Sequence, residues 1–458
     1  MTIEAQPAAR TIDVAGVLEN RRFDGFNIRL VLISWLITVC DGFDMMVVSF
    51  TAPYIRDEIG LTVGELASIF SSGLLGMTLG GLVFSAISDR IGRRPVVVAT
   101  AFTFALLTFA TGFVQSFEQF LVLRFVDGLA LGGMVPIAWA LNVEFVPRRY
   151  RATVITVIMI GYSVGTSGSG PLTVLVEPLI GWRGLYWAGG LASLFSAALL
   201  ALWLPESLRF LVSHGRSPGR VAAMVNRLQP AAQAVPEDRF VLGDEQGDAV
   251  HGRFRDLFAG RLRILTPVLW LGFMASSIAI YFVNSWGPIV LEAMAFERNT
   301  AALATAFGGI MGSVAGLAIM RPTDRWGAVT VTFYPVILLP IMLVLGLVAL
   351  PASTVLILAM VVLMLVGGMH FAIMSIIGGL YPTNVRGRGS GWCSSVGKLG
   401  GVLGPALGGL LLSSGMPVIR SYVVLALCPA LVLICGAIIA RYNGAGGLRG
   451  DNGRGDKA

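Results

Sequence analysis

Charged side chains are scarce in this 458-residue sequence, 13% of positions against roughly 25% in a soluble domain. That shortage excludes a water-facing fold over most of the chain. Lysine is nearly missing: Lys398 and Lys457 are the only two among 33 basic residues. Histidine numbers three and cysteine four; Cys40, Cys393, Cys428 and Cys435 show neither metal-ligand spacing nor a disulfide framework, and read as small apolar packers. No nucleophile motif, metal cluster or nucleotide-cradling loop is present, so neither an enzyme nor a cofactor is expected.

Apolar sequence is what the chain has in abundance, 55% hydrophobic with a mean hydropathy of +0.78. Stretches of about 20 apolar residues, enough to cross a bilayer core of roughly 30 Å, recur along nearly its whole length. Twelve spans are expected, near residues 30–50, 66–87, 96–115, 119–142, 153–175, 185–204, 266–286, 301–320, 329–349, 354–377, 390–413 and 420–440. Such uninterrupted runs do not suit the alternating strands of a barrel, so each backbone must satisfy its own hydrogen bonds as a helix. The fold class is therefore an all-α membrane protein with twelve transmembrane helices.

The net charge of +7 does not imply nucleic acid, because the basic residues concentrate in alternate short loops as orientation signals do. One set of loops holds Arg90, Arg93, Arg94, Arg148, Arg149, Arg151, Arg321, Arg325, Arg386 and Arg388; the other holds only Arg56, Arg183, Arg298 and Arg420. The basic loops and both termini are expected on the cytoplasmic side. The first span is a full-length helix without a cleavage site, and is expected to be retained.

The chain divides into a tail (1–29), six spans (30–205), a linker (206–263), six more spans (264–440) and a second tail (441–458). The linker opens with an apolar periodicity at Leu208, Phe210 and Leu211 that suits an interfacial helix, while Gln229 to Gly252 reads as flexible. The two sets of six repeat one another. Asp89-Arg90-Ile91-Gly92 matches Asp324-Arg325-Trp326-Gly327 at an offset of 235, and Gly132-Gly133 matches Gly367-Gly368 at the same offset. Pro147 and Arg151 match Pro382 and Arg386, again by 235, and Gly170-Pro171 matches Gly404-Pro405 by 234. Parallel six-helix repeats imply a pseudo-twofold axis along the membrane normal, with a cavity between the halves near mid-membrane.

Ser85-Ala86-Ile87-Ser88-Asp89-Arg90-Ile91-Gly92-Arg93-Arg94 resembles the signature loop between helices 2 and 3 of major facilitator transporters. Ser85 stands where that pattern usually has Gly. Arg124, Gly128, Gly132 and Gly133 resemble the superfamily's second motif, and the likeness extends over residues 25 to 440. Within the superfamily, Asp41-Gly42-Phe43-Asp44 is similar to the paired-acid motif of the aromatic acid:H+ symporters. The resemblance implies two pseudo-symmetric six-helix bundles and alternating access. It also implies symport of a hydroxybenzoate-like carboxylate with protons across a bacterial inner membrane, by a monomer, in the service of aromatic catabolism. Pro205-Glu206-Ser207 is also similar to sugar porters, but the helix from Phe273 to Trp286 lacks their paired glutamines. A sugar or drug carrier of the same fold, and a membrane sensor that binds without transporting, remain the alternative readings.

Asp41 and Asp44 lie one turn apart inside an apolar span, so both carboxyls project from one face. Low dielectric and a like-charged neighbour favour the protonated form, the property a proton-coupling site needs; the alternative is a pair of structural hydrogen-bond formers. Arg124 can attract an anionic substrate, pair with a first-helix acid, or pair locally with Asp127. Lys398 lies among Gly397, Gly400 and Gly401 and needs an anionic partner, either a bound carboxylate or a neighbouring helix; the symporters tend to have Arg there. His370 is a candidate proton relay or a packing residue. Tyr281, Asn284, Trp286 and Trp392 are candidates to stack on or hydrogen-bond an aromatic ligand. Asp89, Arg90, Arg93, Arg94, Glu144, Arg148, Arg151, Asp324 and Arg386 suit a cytoplasmic gate, a network of ion pairs that forms when the cavity faces outward, or else only set topology.

Overall fold

The computed structural model describes residues 10–20, 23–244, 254–382 and 385–444. Its elements run β1 (Thr11–Asp13), α1 (Val14–Asn20), α2 (Gly25–Ile59), α3 (Val63–Ile91), α4 (Arg93–Thr111), α5 (Phe117–Glu144) and α6 (Arg148–Trp203), and continue with α7 (Leu208–Ser213), α8 (Pro218–Leu228) and β2 (Arg239–Val241). The second half follows as α9 (Leu262–Ala293), α10 (Arg298–Trp326), α11 (Phe333–Leu347), α12 (Ala352–Leu380), α13 (Arg386–Ser413), α14 (Ser421–Leu425) and α15 (Leu427–Gly444).

Side chains fix where several helices begin. The Asp24 carboxylate accepts from the Phe26 and Asn27 amides while the Asn27 side chain accepts from the Asp24 amide; Thr62 and Glu65 close the same reciprocal box on α3. Gly60 ends α2 with φ 77°, a left-handed turn that glycine adopts without a Cβ penalty.

Ten continuous helical stretches among the described residues are long and apolar enough to cross a bilayer. Two are too long for one crossing. At 1.5 Å per residue the 56 residues of α6 would span about 84 Å. Gly181 breaks that run with φ 70° and ψ 175°, so α6 supplies both the fifth and sixth spans. Arg298–Leu347 is divided likewise by a 3-10 segment at Gly327–Thr332. Twelve crossings result, in an all-helical membrane fold.

Packing repeats across the two halves. In the first, α2 lies on α6 and α3 on α5; in the second, α9 lies on α13 and α10 on α12. The halves meet through α3 with α13 and α6 with α10, which are symmetry-related pairs.

The linker differs from its expected flexibility. Pro230–Ala232 forms a 3-10 turn, and β2 pairs in parallel with β1, Ile12 opposite Phe240. The first tail therefore carries structure, and the cause is apolar: Val14, Leu18, Val221, Val225, Leu228 and Leu242 are buried together in a core continuous with the first half. Asp13 accepts from the Ala15 and Gly243 amides, and Arg209 pairs with Asp244. The adjacent guanidinium holds the Asp244 carboxyl below its usual range. Residues 1–9, 245–253 and 445–458, from the expected tails and linker, lie outside the described residues.

Candidate functional site

Close backbone approach builds the centre of the first half. A Cβ on Gly42 would lie 2.2 Å from the Tyr162 carbonyl oxygen, so the glycine between the two acids lets α2 press directly on α6. On the next pair, a Cβ on Gly128 would fall 2.1 Å from the Gly73 oxygen, which seats α5 against α3 one turn from Arg124.

This packing buries a cluster of ionisable groups. Asp41 and Asp44 on α2, and Arg124 and Asp127 on α5, are 6% exposed or less. The Arg124 Nη1 donates to Asp44 Oδ2 at 2.8 Å and to Asp127 Oδ2 at 3.0 Å. The Thr108 hydroxyl of α4 donates to Asp44 Oδ1 at 3.3 Å. Asp41 Oδ1 and Asp127 Oδ1 are buried without a hydrogen-bond partner among the described residues. Two of the three carboxyl groups thus share one guanidinium, and Asp41 lies near them with no cation paired to it.

Arg124 also borders a cavity of about 40 Å³ between the halves. Met45, Met46, Phe70, Met77 and Tyr162 line it from the first half, and Tyr281, Asn284 and Ser285 on α9 line it from the second. Pockets for small ligands are typically 300 Å³ or more, so this one is contracted to the size of a few waters. Three flexible methionine side chains in its wall can yield to a guest. No described residue accepts from Arg124 Nε or Nη2, and none hydrogen-bonds the side chains of Tyr162, Tyr281, Asn284 or Ser285. A Cβ on Gly73, another wall residue, would lie 3.8 Å from both Arg124 Nε and Nη2, which places these nitrogens at the cavity wall.

Four other expected residues stand apart from this cavity. Lys398 is half-buried on α13, its Nζ beside Gly81 of α3, about one turn beyond Met77 toward the basic loops. No described carboxylate pairs with it. His370 sits inside the second half, stacked on Phe273 with its Nδ1 3.0 Å from the Ser276 hydroxyl. Trp392 is 49% exposed, stacks on Trp270 and lies tilted against Phe254 at the basic-loop end. Trp286 is fully buried, donating to the Pro405 carbonyl, and packs rather than faces a guest. In each case the residue type suited a ligand, but the side chain lies outside this cavity, Lys398 and Trp392 nearer the basic loops and His370 and Trp286 packed within the second half.

The profile of the Major Facilitator Superfamily matches residues 34–405. The chain belongs to this superfamily. Its members are transporters, and the chain is a multi-pass membrane transporter rather than an enzyme. The 4-hydroxybenzoate transporter PcaK of Pseudomonas aeruginosa is 31% identical over 91% of this chain and 93% of its own length. A gallate transporter of Pseudomonas putida is 30% identical over 90% and 91%. Among solved structures, a D-xylose-proton symporter superposes with a TM-score of 0.69 at 14% identity, covering 91% of this chain and 97% of its own, which speaks to the fold alone.

The superfamily's signature loop is ordered within the first half. The Glu206 carboxylate accepts from the Arg93, Arg94 and Ser207 amides, capping the start of α4. The Arg93 guanidinium pairs with Glu144, which also accepts from the Ser207 hydroxyl, and Arg151 Nε donates to the Val146 carbonyl. Asp89, Arg90, Asp324 and Arg386 are exposed. Arg386 Nε donates to the Tyr381 carbonyl, and Arg148 pairs with Glu19. Among the described residues no ion pair joins the halves at this end.

The inter-half ion pairs lie at the opposite end, where sequence reasoning placed no gate. Arg56 of α2 pairs with Glu292 of α9 at 3.4 Å, and Arg298 of α10 pairs with Asp57 of α2 while lying 5.0 Å from the Tyr54 ring. Their signal in the sequence was modest: opposite charges at both rims of loops otherwise poor in charge. Tyr162 and the cavity methionines gave no signal, since nothing sets them apart inside apolar helices.

Proposed function

We propose that the protein is a proton-coupled symporter that imports a hydroxybenzoate-like aromatic carboxylate by alternating access. One observation carries this reading: Arg124 faces the cavity with Nε and Nη2 unengaged while two acids hold its Nη1. A guanidinium fork suits a carboxylate, and the tyrosines and methionines around it suit a flat ring. The relatives named for 4-hydroxybenzoate and gallate support the same substrate class.

Coupling follows from charge. Three buried carboxyls and one guanidinium leave an excess of negative charge, and bringing in an anion adds to it. Bound protons remove that excess. Asp44 competes with the substrate for Arg124, so a proton on Asp44 frees the guanidinium for the incoming carboxylate. Asp41, which has no cation beside it, carries a proton independently and divides the roles: Asp41 for coupling, Asp44 for exchange of Arg124 between proton and substrate. Lys398 adds positive charge at the inner mouth of the path, whereas His370 and Trp392 are released from a substrate role.

The basic loops support a cytoplasmic placement of that end and of both termini in a bacterial inner membrane. The ion pairs at Arg56, Asp57, Glu292 and Arg298 then seal the outer end. In the alternate conformation the inner charges, Asp89, Arg90, Arg93, Arg94, Glu144, Arg151, Asp324 and Arg386, form the opposing gate. A single chain holds a complete cavity, which supports a monomeric carrier.

The test is uptake of labelled aromatic acids and sugars into proteoliposomes under an inward proton gradient. Gradient-driven accumulation of an aromatic acid, abolished by a protonophore and by Asp41→Asn, is expected. Accumulation of sugars instead, or uptake indifferent to the gradient, overturns the reading.

A further inference from the structure

The cavity's polar groups divide between the halves. On the first half Arg124 offers the only positive donors, beside the single neutral hydroxyl of Tyr162; on the second, Tyr281, Asn284 and Ser285 on one face of α9 offer three neutral groups that both donate and accept, and of these Asn284 alone is an amide. Tyr281 is held in place, its ring packed on α13 so that a Cβ at Gly401 would come within 3.2 Å of it. Asn284 is three residues further on and has no described hydrogen-bond partner, although its amide can satisfy a donor and an acceptor together. Leaving such a group unmatched against an apolar ring edge loses hydrogen bonds that water gives it.

We propose that Asn284 is the specificity-determining residue for a ring hydroxyl, so that the substrate is a hydroxylated aromatic carboxylate held by its carboxylate on the first half and its hydroxyl on the second. This rests on the proposed function and deepens it. A phenolic hydroxyl donates to the Asn284 carbonyl oxygen and accepts from its amide nitrogen, with Ser285 within the same wall. A molecule bearing both groups bridges the halves across the cavity; benzoate engages only Arg124. Selectivity between the two acids therefore resides on α9, and it is separable from affinity for the carboxylate.

The test measures competition by benzoate, 4-hydroxybenzoate and 3,4-dihydroxybenzoate against labelled 4-hydroxybenzoate in proteoliposomes, for the wild type, Asn284→Leu and Asn284→Asp. The wild type is expected to favour the hydroxylated acids over benzoate by about ten-fold, the value of one hydrogen bond matched against one left unmade. Asn284→Leu is expected to erase that preference by weakening the hydroxylated acids while leaving benzoate unchanged or tighter. Asn284→Asp, which keeps an acceptor for the phenolic hydrogen, is expected to retain part of the preference. Equal inhibition by all three acids in the wild type overturns the proposal, as does an Asn284→Leu protein that loses benzoate and hydroxybenzoate by the same factor. If no aromatic acid binds the wild type at all, it is the transport reading that has failed.

Discussion

Arg124 uses one nitrogen for two acids and turns the rest of its fork toward the cavity. Charge and fork can be separated by substitution. Arg124→Lys keeps a cation beside Asp44 and Asp127 but presents a single point donor, so folded protein is expected at near wild-type yield while substrate affinity falls about ten-fold or more in binding measurements. Arg124→Leu strands two buried carboxyls, a loss of about 3–5 kcal/mol, and a marked drop in purified, monodisperse protein is expected. The acids divide in a different way. Exchange of labelled for unlabelled substrate cycles the loaded carrier and needs no proton release, so Asp41→Asn is expected to lose accumulation but keep exchange; loss of both activities together removes Asp41 from a coupling role. These ionisable residues were legible in the sequence because a charge inside an apolar span has no cheap alternative to a function or a partner. His370 and Trp392 lie apart from the cavity for the converse reason: a ring that suits a ligand is equally at home against another ring.

At the scale of elements, hydropathy located the spans because bilayer thickness sets their length, and the 235-residue offset carried over into matching helix pairs. Contrast was lacking elsewhere. The join within α6 turns on one backbone conformation at Gly181, and the order in the linker comes from long-range burial against α1, which local composition does not register. The Asp-Gly-Phe-Asp segment shows how the levels connect, since Gly42 sets the approach of α2 to α6 and so the depth at which both acids sit. Gly42→Ala pushes a methyl against backbone that cannot yield and is expected to cost about 1–3 kcal/mol, visible as a lowered thermal midpoint in detergent. Gly168→Ala on the partner helix α6 meets nothing within 4 Å and gains helix propensity, so its midpoint is expected to hold or rise. Equal behaviour of the two variants contradicts the close-approach account.

For the whole molecule, alternating access requires that the seal at either end be weak enough to break. The outer pairs satisfy that requirement: Arg56, Asp57, Glu292 and Arg298 keep 20 to 47% of their side-chain surface exposed. Pairs this exposed contribute roughly 0–1 kcal/mol each, so the two that join the halves bias the equilibrium without locking it. Losing a bias of ~1–2 kcal/mol changes the ratio of inward to outward forms by a factor of about 5–30. Thr173, which is 1% exposed in the interface between the halves close to Arg298, reports that change when replaced by cysteine, because the four native cysteines are all buried. Labelling of Thr173→Cys by an impermeant maleimide is expected to rise several-fold when Arg298→Gln is added, and to rise in the unmodified gate as salt concentration increases. Reversing the pair, Arg298→Asp with Asp57→Arg, is expected to bring labelling back down. Labelling indifferent to all three changes would mean that apolar contact between the halves seals the outer end, and that the ion pairs form only after it has closed.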